Sequence, residues 1–215
     1  MDVNEVADTI KEAVEAEHQA DRAEEKRAER HRNRAALAIA VLAGITAVGE
    51  LGGDNAKDAM IHNNIEASDT WNFYQAKNIR QTIYKLQGDA LAREMAAPGL
   101  AAERRAALEG DLDKYKKTAA RYEDEPDPKA PGDATKGEGK KQLQARAKAF
   151  QEAREVAEKK NDSFDFAKMA LQLAIVLGSV SILATSRPLL LAAGVLGVIG
   201  TVLTLNGFFL LFPIG

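Results

Sequence analysis

The sequence contains no cysteine, which excludes a disulfide, a thiolate metal site and a cysteine nucleophile. It has no surplus of positive charge either: 29 Lys and Arg against 32 Asp and Glu give a net charge near −3 and no general attraction to nucleic acid. Proline is scarce, with six residues at positions 98, 126, 128, 131, 188 and 213, so the stretches between them are free to be helical. Aromatics are few and Trp71 is the single tryptophan. Walker, G-x-S-x-G, H-E-x-x-H and dinucleotide-binding patterns are all missing, and a non-enzymatic role is the expectation. The first 34 residues are polar and begin acidic, unlike a secretory leader, so the first apolar segment is expected to be retained.

What is present is a chain with 28% charged residues whose apolar side chains are gathered into blocks at 35–49, 169–184 and 188–215. Outside them Ala, Glu, Lys, Arg, Leu and Gln, the strong helix formers, dominate. The expected fold class is therefore all-α: an integral membrane protein with three transmembrane helices and a helical, coiled-coil-like extramembrane region. Residues 1–34 read as a charged amphipathic helix with a thin stripe of Val3, Val6, Ile10, Ala13 or Val14, and Ala20. Residues 35–53 form span one; the uncharged run 35–49 alone is about 22 Å of helix, and Arg34 can snorkel at its end.

Residues 54–166 form the extramembrane region. Ile61, Ile65, Ala76, Ile79, Ile83, Leu86 and Ala90 recur at three and four residues, as in coiled-coil packing. Pro98 and Gly99 break that helix, and Leu108, Leu112, Tyr115, Ala119 and Tyr122 mark another. Residues 123–140 hold three prolines and three glycines with little apolar surface, and are expected to be a mobile loop. From Lys141 a further helix carrying Leu143, Ala147, Phe150, Ala157 and Phe164 runs without a break into span two at 167–186. Arg187-Pro188 supplies a turn, and span three follows at 188–212. Arg22, Lys26, Arg27, Arg30, Arg32 and Arg34 precede span one and only Lys57 soon follows it, so the positive-inside bias puts the N-terminus in the cytoplasm. Lys159, Lys160 and Lys168 before span two pull the other way, although long loops cross membranes largely regardless of charge.

Three groups of residues are candidates for more than architecture. Asp58, His62 and Glu66 lie four apart on one helix face, a carboxylate and imidazole row that could hold a metal, but a hydrogen-bonded surface row is the plainer reading and no metal or other cofactor is expected. Ala36, Ala40 and Gly44, then Ala174 and Gly178, then Ala193, Gly197 and Thr201 repeat small side chains every four positions, which lets helix backbones approach in lipid. Gln172 and Asn206 are the polar residues of the later spans and are expected to join helices.

Residues 68–81, SDTWNFYQAKNIRQ, are the most individual stretch. Trp71, Tyr74, Gln75, Lys77 and Arg80 are the expected interface residues, since Trp and Tyr favour surfaces with one apolar and one wet edge; contact with lipid headgroups or a small ligand are the other options. The run Trp71-x-x-Tyr74-Gln75-Ala76-Lys77-x-x-Arg80 resembles the signature of an uncharacterised bacterial three-span membrane-protein family, domain of unknown function four-three-three-seven. The resemblance implies a bacterial inner membrane and supplies no activity, ligand or catalytic residue. The functional expectation is a homo-oligomeric membrane scaffold or assembly protein that meets the bilayer and copies of itself. A subunit of an oligomeric channel or transport accessory, and an interaction partner of another membrane complex, are the alternatives.

Overall fold

The computed structural model describes residues 3–214, with side chains at residue 11 and from residue 15 onward. The expected stripe of Val3, Val6, Ile10, Ala13 and Val14 lies outside the described side chains; Ala20, also placed on it, is exposed. Four helices make up the described chain: α1 (Val3–Met95), α2 (Ala102–Glu123), α3 (Lys140–Ala184) and α4 (Arg187–Phe209). There is no strand among the described residues, only one isolated bridge between Pro126 and Gly137. The all-α expectation holds. α1 is a single helix of 93 residues that runs unbroken through position 53, where the sequence placed the end of span one. It ends before Pro98, and Gly99 takes the left-handed conformation at φ 80°.

The chain divides into two compact units, Met1–Ala56 with Lys159–Gly215, and Lys57–Glu158; α1 and α3 contribute a stretch to each. The first unit holds the three apolar segments. α1, α3 and α4 are each long and apolar enough to cross a membrane, and no more than 28% of any of these apolar windows is buried. Side chains of that kind facing outward over whole helices are stable against lipid and costly against water.

Inside the unit, glycines receive large side chains. On α4 the buried positions Ala193, Gly197, Gly200, Thr204 and Gly207 alternate four and three residues, one continuous seam. Leu42 of α1 sits on Gly197, Leu171 of α3 on Gly200, and the Phe164 ring lies against Gly52, Gly53 and Gly207 and meets Phe208 edge-on at 4.9 Å. A Cβ added at Gly207 would come 2.7 Å from that ring. The close contact at Gly52 shows why α1 continues there: burial against Phe164 offsets the roughly 1 kcal/mol that glycine costs a helix interior.

Of the expected packing residues, Ala174, Gly178, Ala193 and Gly197 are buried, and Gly178 accommodates Ile39. Ala40 and Gly44 are not; they face outward, and a Cβ at Gly44 would meet nothing within 4 Å. The face of α1 that packs within the chain instead runs through Ala35, Ile39, Leu42, Gly49 and Gly52. Gln172 is likewise exposed.

Polar groups close both ends of the α3–α4 hairpin. Asn206, fully buried, donates to Ser163 Oγ (3.0 Å) and the Phe212 carbonyl (3.0 Å) and accepts from the Phe212 amide (2.9 Å), fixing the chain after α4. At the turn, Thr185 adopts φ 47° and Ser181 Oγ donates to the Ser186 carbonyl at 2.8 Å. With that hydroxyl proton committed, His31 Nε2 is the donor to Ser181 Oγ (3.0 Å) and the Ser181 carbonyl (3.1 Å), tying α1 to the turn. At the other end of the apolar segments Glu50 pairs with Lys168 at 3.0 Å.

A larger side chain at Gly207 must displace the Phe164 ring, whereas one at Gly44 meets open space. Gly207→Leu is therefore expected to lower the unfolding free energy in detergent by about 1–3 kcal/mol and Gly44→Leu to leave it nearly unchanged, read by thermal unfolding. Equal losses would contradict this packing.

Candidate functional site

The second unit is built around the part of α1 that carries the aromatic run. Its inward face is Ala67, Thr70, Tyr74, Lys77, Gln81, Tyr84 and Gly88, spaced three and four residues apart. Much of that face is polar, and the partners of the polar groups come from α2, from the start of α3 and from the 123–140 segment between them. Lys77, 5% exposed, lies 3.4 Å from Glu125 Oε2 and 3.5 Å from Glu138 Oε2 and donates to the Glu138 carbonyl. The rings of Phe73 and Tyr122 flank its ammonium at 5.7 and 5.6 Å.

One turn on, Gln81 donates to the Ala119 carbonyl (2.8 Å) and Glu123 Oε2 (2.9 Å), while its own carbonyl accepts from Lys140 Nζ (2.8 Å). Lys140 also reaches Asn78 Oδ1 (2.9 Å) and Glu123 (3.1 Å) and sits over the Tyr74 ring. Tyr84 packs on Tyr115 and Tyr122, with centroids 5.6 and 5.8 Å away. Trp71 stacks edge-on with Tyr74 at 5.4 Å.

These contacts hold both ends of the 123–140 segment, which its composition marked as mobile. Gln142 donates to Asp124 Oδ1 (2.8 Å) and accepts the Glu125 amide (3.2 Å), Lys141 pairs with Asp124 (2.9 Å), and Arg146 donates to the Gly137 carbonyl (2.8 Å). Gly137 has φ +119°, and a Cβ there would collide with the Glu125 carbonyl. Hydrogen bonds from Gln81 and Lys140 hold the Glu123 carboxyl below its ordinary pKa, and those from Lys141 and Gln142 do the same for Asp124.

The outward face of the same helix is apolar. Asn72, Ala76, Ile79, Ile83, Leu86 and Ala90 alternate four and three residues, and Ile79, Ile83 and Leu86 are 61, 47 and 60% exposed; Ile61 and Ile65 extend the exposure toward the start of the unit. Each member from Ala76 onward stands two residues beyond an inward one, about 200° around the helix. Among the described residues nothing covers the isoleucines of this stripe.

Of the expected interface residues, Lys77 is buried in the chain's own network, Trp71 and Tyr74 are half-buried, and Gln75 and Arg80 are exposed. Asp58 and His62 are exposed and Glu66 half-buried, and among the described residues no three His, Asp or Glu side chains come together to hold a metal. A cleft of about 610 Å³ lies between α1 and α2, lined in part by Tyr84, Gly88, Leu112 and Tyr115. Gln81, Tyr84, Lys140 and Glu138 were missed by the apolar periodicity; the polar row Thr70, Tyr74, Lys77, Gln81, Tyr84, Gly88 had the same spacing and was the available signal.

Fold and site together define an all-α protein with three helices long and apolar enough to cross a membrane and a second unit with a polar core. The chain belongs to the family described as Domain of unknown function (DUF4337), which matches residues 31–210. No curated protein and no solved structure matches it.

Two outcomes check the network. Lys77→Met leaves Glu125 and Glu138 without their shared cation, and proteolysis inside 123–140 is expected to quicken severalfold relative to wild type, while Lys116→Met does not change it. Because the Glu123 and Asp124 pKa values are lowered on folding, their contribution is complete above the ordinary carboxylate range and is lost as pH falls through the lowered values. Near-ultraviolet ellipticity of the aromatic cluster should hold from neutral pH to about pH 5 and decline only below the carboxylate range; a decline near neutrality would contradict the assignment.

Proposed function

We propose that the protein is a non-enzymatic homo-oligomeric membrane scaffold whose copies join through the outward face of α1 in the second unit. The observation that carries this reading is the stripe Ala76, Ile79, Ile83, Leu86 and Ala90: an alternation of three and four residues is the seam of a coiled coil, and among the described residues nothing covers Ile79, Ile83 or Leu86. Fully burying an isoleucine or leucine contributes about 1.5–3 kcal/mol, so a stripe left in water is a standing drive to associate. A second copy suits it because it offers the same spacing, with Asn72 in line with the seam as a polar residue able to fix register.

The basic run before span one supports a cytoplasmic N-terminus, and the family resemblance implies a bacterial inner membrane. In this reading the spans anchor the copies and the Lys77 network stiffens the helix that joins them.

The test is the mass of the protein in mild detergent by light scattering, with the detergent contribution removed. Wild type should be a discrete homo-oligomer, and Ile79→Asp with Leu86→Asp should be monomeric with unchanged helicity, since both positions are exposed. A wild-type monomer with a folded second unit sinks the proposal, and one copy bound to a stoichiometric foreign protein replaces it with a heteromeric partner.

A further inference from the structure

At the α3–α4 turn the first unit carries a feature that neither anchoring nor assembly uses. Arg27, Arg30 and Arg34 of α1 and Arg187, the first residue of α4, line one cavity of about 370 Å³ together with Leu190 and Leu191. Arginines at the edge of a span ordinarily snorkel separately toward water. Here two elements far apart in sequence bring four to the same place, and the hydrogen bonds of His31 to Ser181 hold α1 against the turn that delivers Arg187. Among the described residues, none of the four has a carboxylate within 4.0 Å, although Arg30 Nε donates to the Lys26 carbonyl at 3.2 Å. Arg27, His31 and Arg187 also border an adjoining recess lined by Asp21, Glu24, Glu25 and Thr185. These carboxylates lie ten or more residues before Ala35, while Arg30 and Arg34 stand next to the apolar segments.

We propose that this cavity binds the phosphate of an anionic phospholipid. The level is right: the apolar stretch of α1 starts at Ala35, that of α3 ends at Ala184 and that of α4 starts at Pro188, so the arginines stand where headgroup phosphates lie. The chemistry is right as well. Planar guanidinium groups donate paired hydrogen bonds to phosphate oxygens, and the positive end of α4, which has no side-chain cap at Ser186, adds to the field. Leu190 and Leu191 distinguish a lipid from a free phosphate, because Leu191 is 71% exposed beside the charges and offers acyl chains an apolar track that a soluble anion cannot use.

The experiment is native mass spectrometry of the detergent-purified full chain titrated with phosphatidylglycerol, phosphatidylcholine or soluble glycerol 3-phosphate. Wild type should retain phosphatidylglycerol at a concentration about tenfold lower than phosphatidylcholine. Arg30→Gln with Arg187→Gln should abolish that preference, and Arg105→Gln with Arg121→Gln, on α2, should keep it. Circular dichroism of each variant checks that the helices are intact; should the double variant be misfolded, Arg27→Gln alone, expected to weaken the preference severalfold, gives the reading. No preference in wild type, or a preference that survives the cavity variants, overturns the site. Glycerol 3-phosphate bound as tightly as the lipid overturns the lipid and leaves a soluble phosphate as occupant.

Discussion

A helix gives each side chain one direction, and in the second unit that constraint governs everything else. Lys77 and Gln81 are turned inward because they hold Glu123, Glu125, Glu138 and Lys140. Ile79 and Ile83 stand two residues further on and are consequently turned outward. The helix cannot satisfy its polar face inside the chain and also bury its isoleucines there. A polar interior of this kind depends on its partners, and the aromatic rings of Phe73, Tyr74 and Tyr122 lie over its two lysines.

The first unit solves the opposite problem. Its apolar side chains have lipid to face, so outward exposure carries no penalty, and association of its helices depends on fit. Glycines on α4 admit Leu42, Leu171 and Phe164, while Asn206 and Ser181 meet their hydrogen-bonding needs at the hairpin's two ends. The result is a helix packing whose specificity lies in small residues and two polar clasps.

Much of this was legible in the residue order. The apolar blocks located the candidate spans, Pro98-Gly99 and Arg187-Pro188 marked chain reversals, and the absence of a breaker between Lys141 and Met169 foretold that α3 enters its apolar stretch without interruption. The run from Trp71 to Arg80 pointed to the family that the match over residues 31–210 shows. What could not be read was direction. Glycines at 52 and 53 look like a boundary until Phe164, more than a hundred residues away, is placed upon them. Ala40 and Gly44 satisfy a small-residue rule as well as Ala35 and Gly49 do, and only tertiary contact chooses between the rows. The isoleucine stripe of α1 was visible as an apolar row, but its outward exposure was not, because lysine and glutamine are seldom expected to claim the inner face. Residues 123–140 looked free because the groups that hold them, from Lys77 to Arg146, lie outside them.

The outward stripe of α1, proposed as the seam between copies, is directly measurable because the sequence has no cysteine. Single-cysteine variants at Ile79, Ile83 and Leu86, oxidised in native membranes, should each give disulfide-linked dimers, while a cysteine at the exposed α2 position Lys117 should not. Dimers at all four positions would indicate random collision, and dimers at none of the three seam positions would contradict the claim.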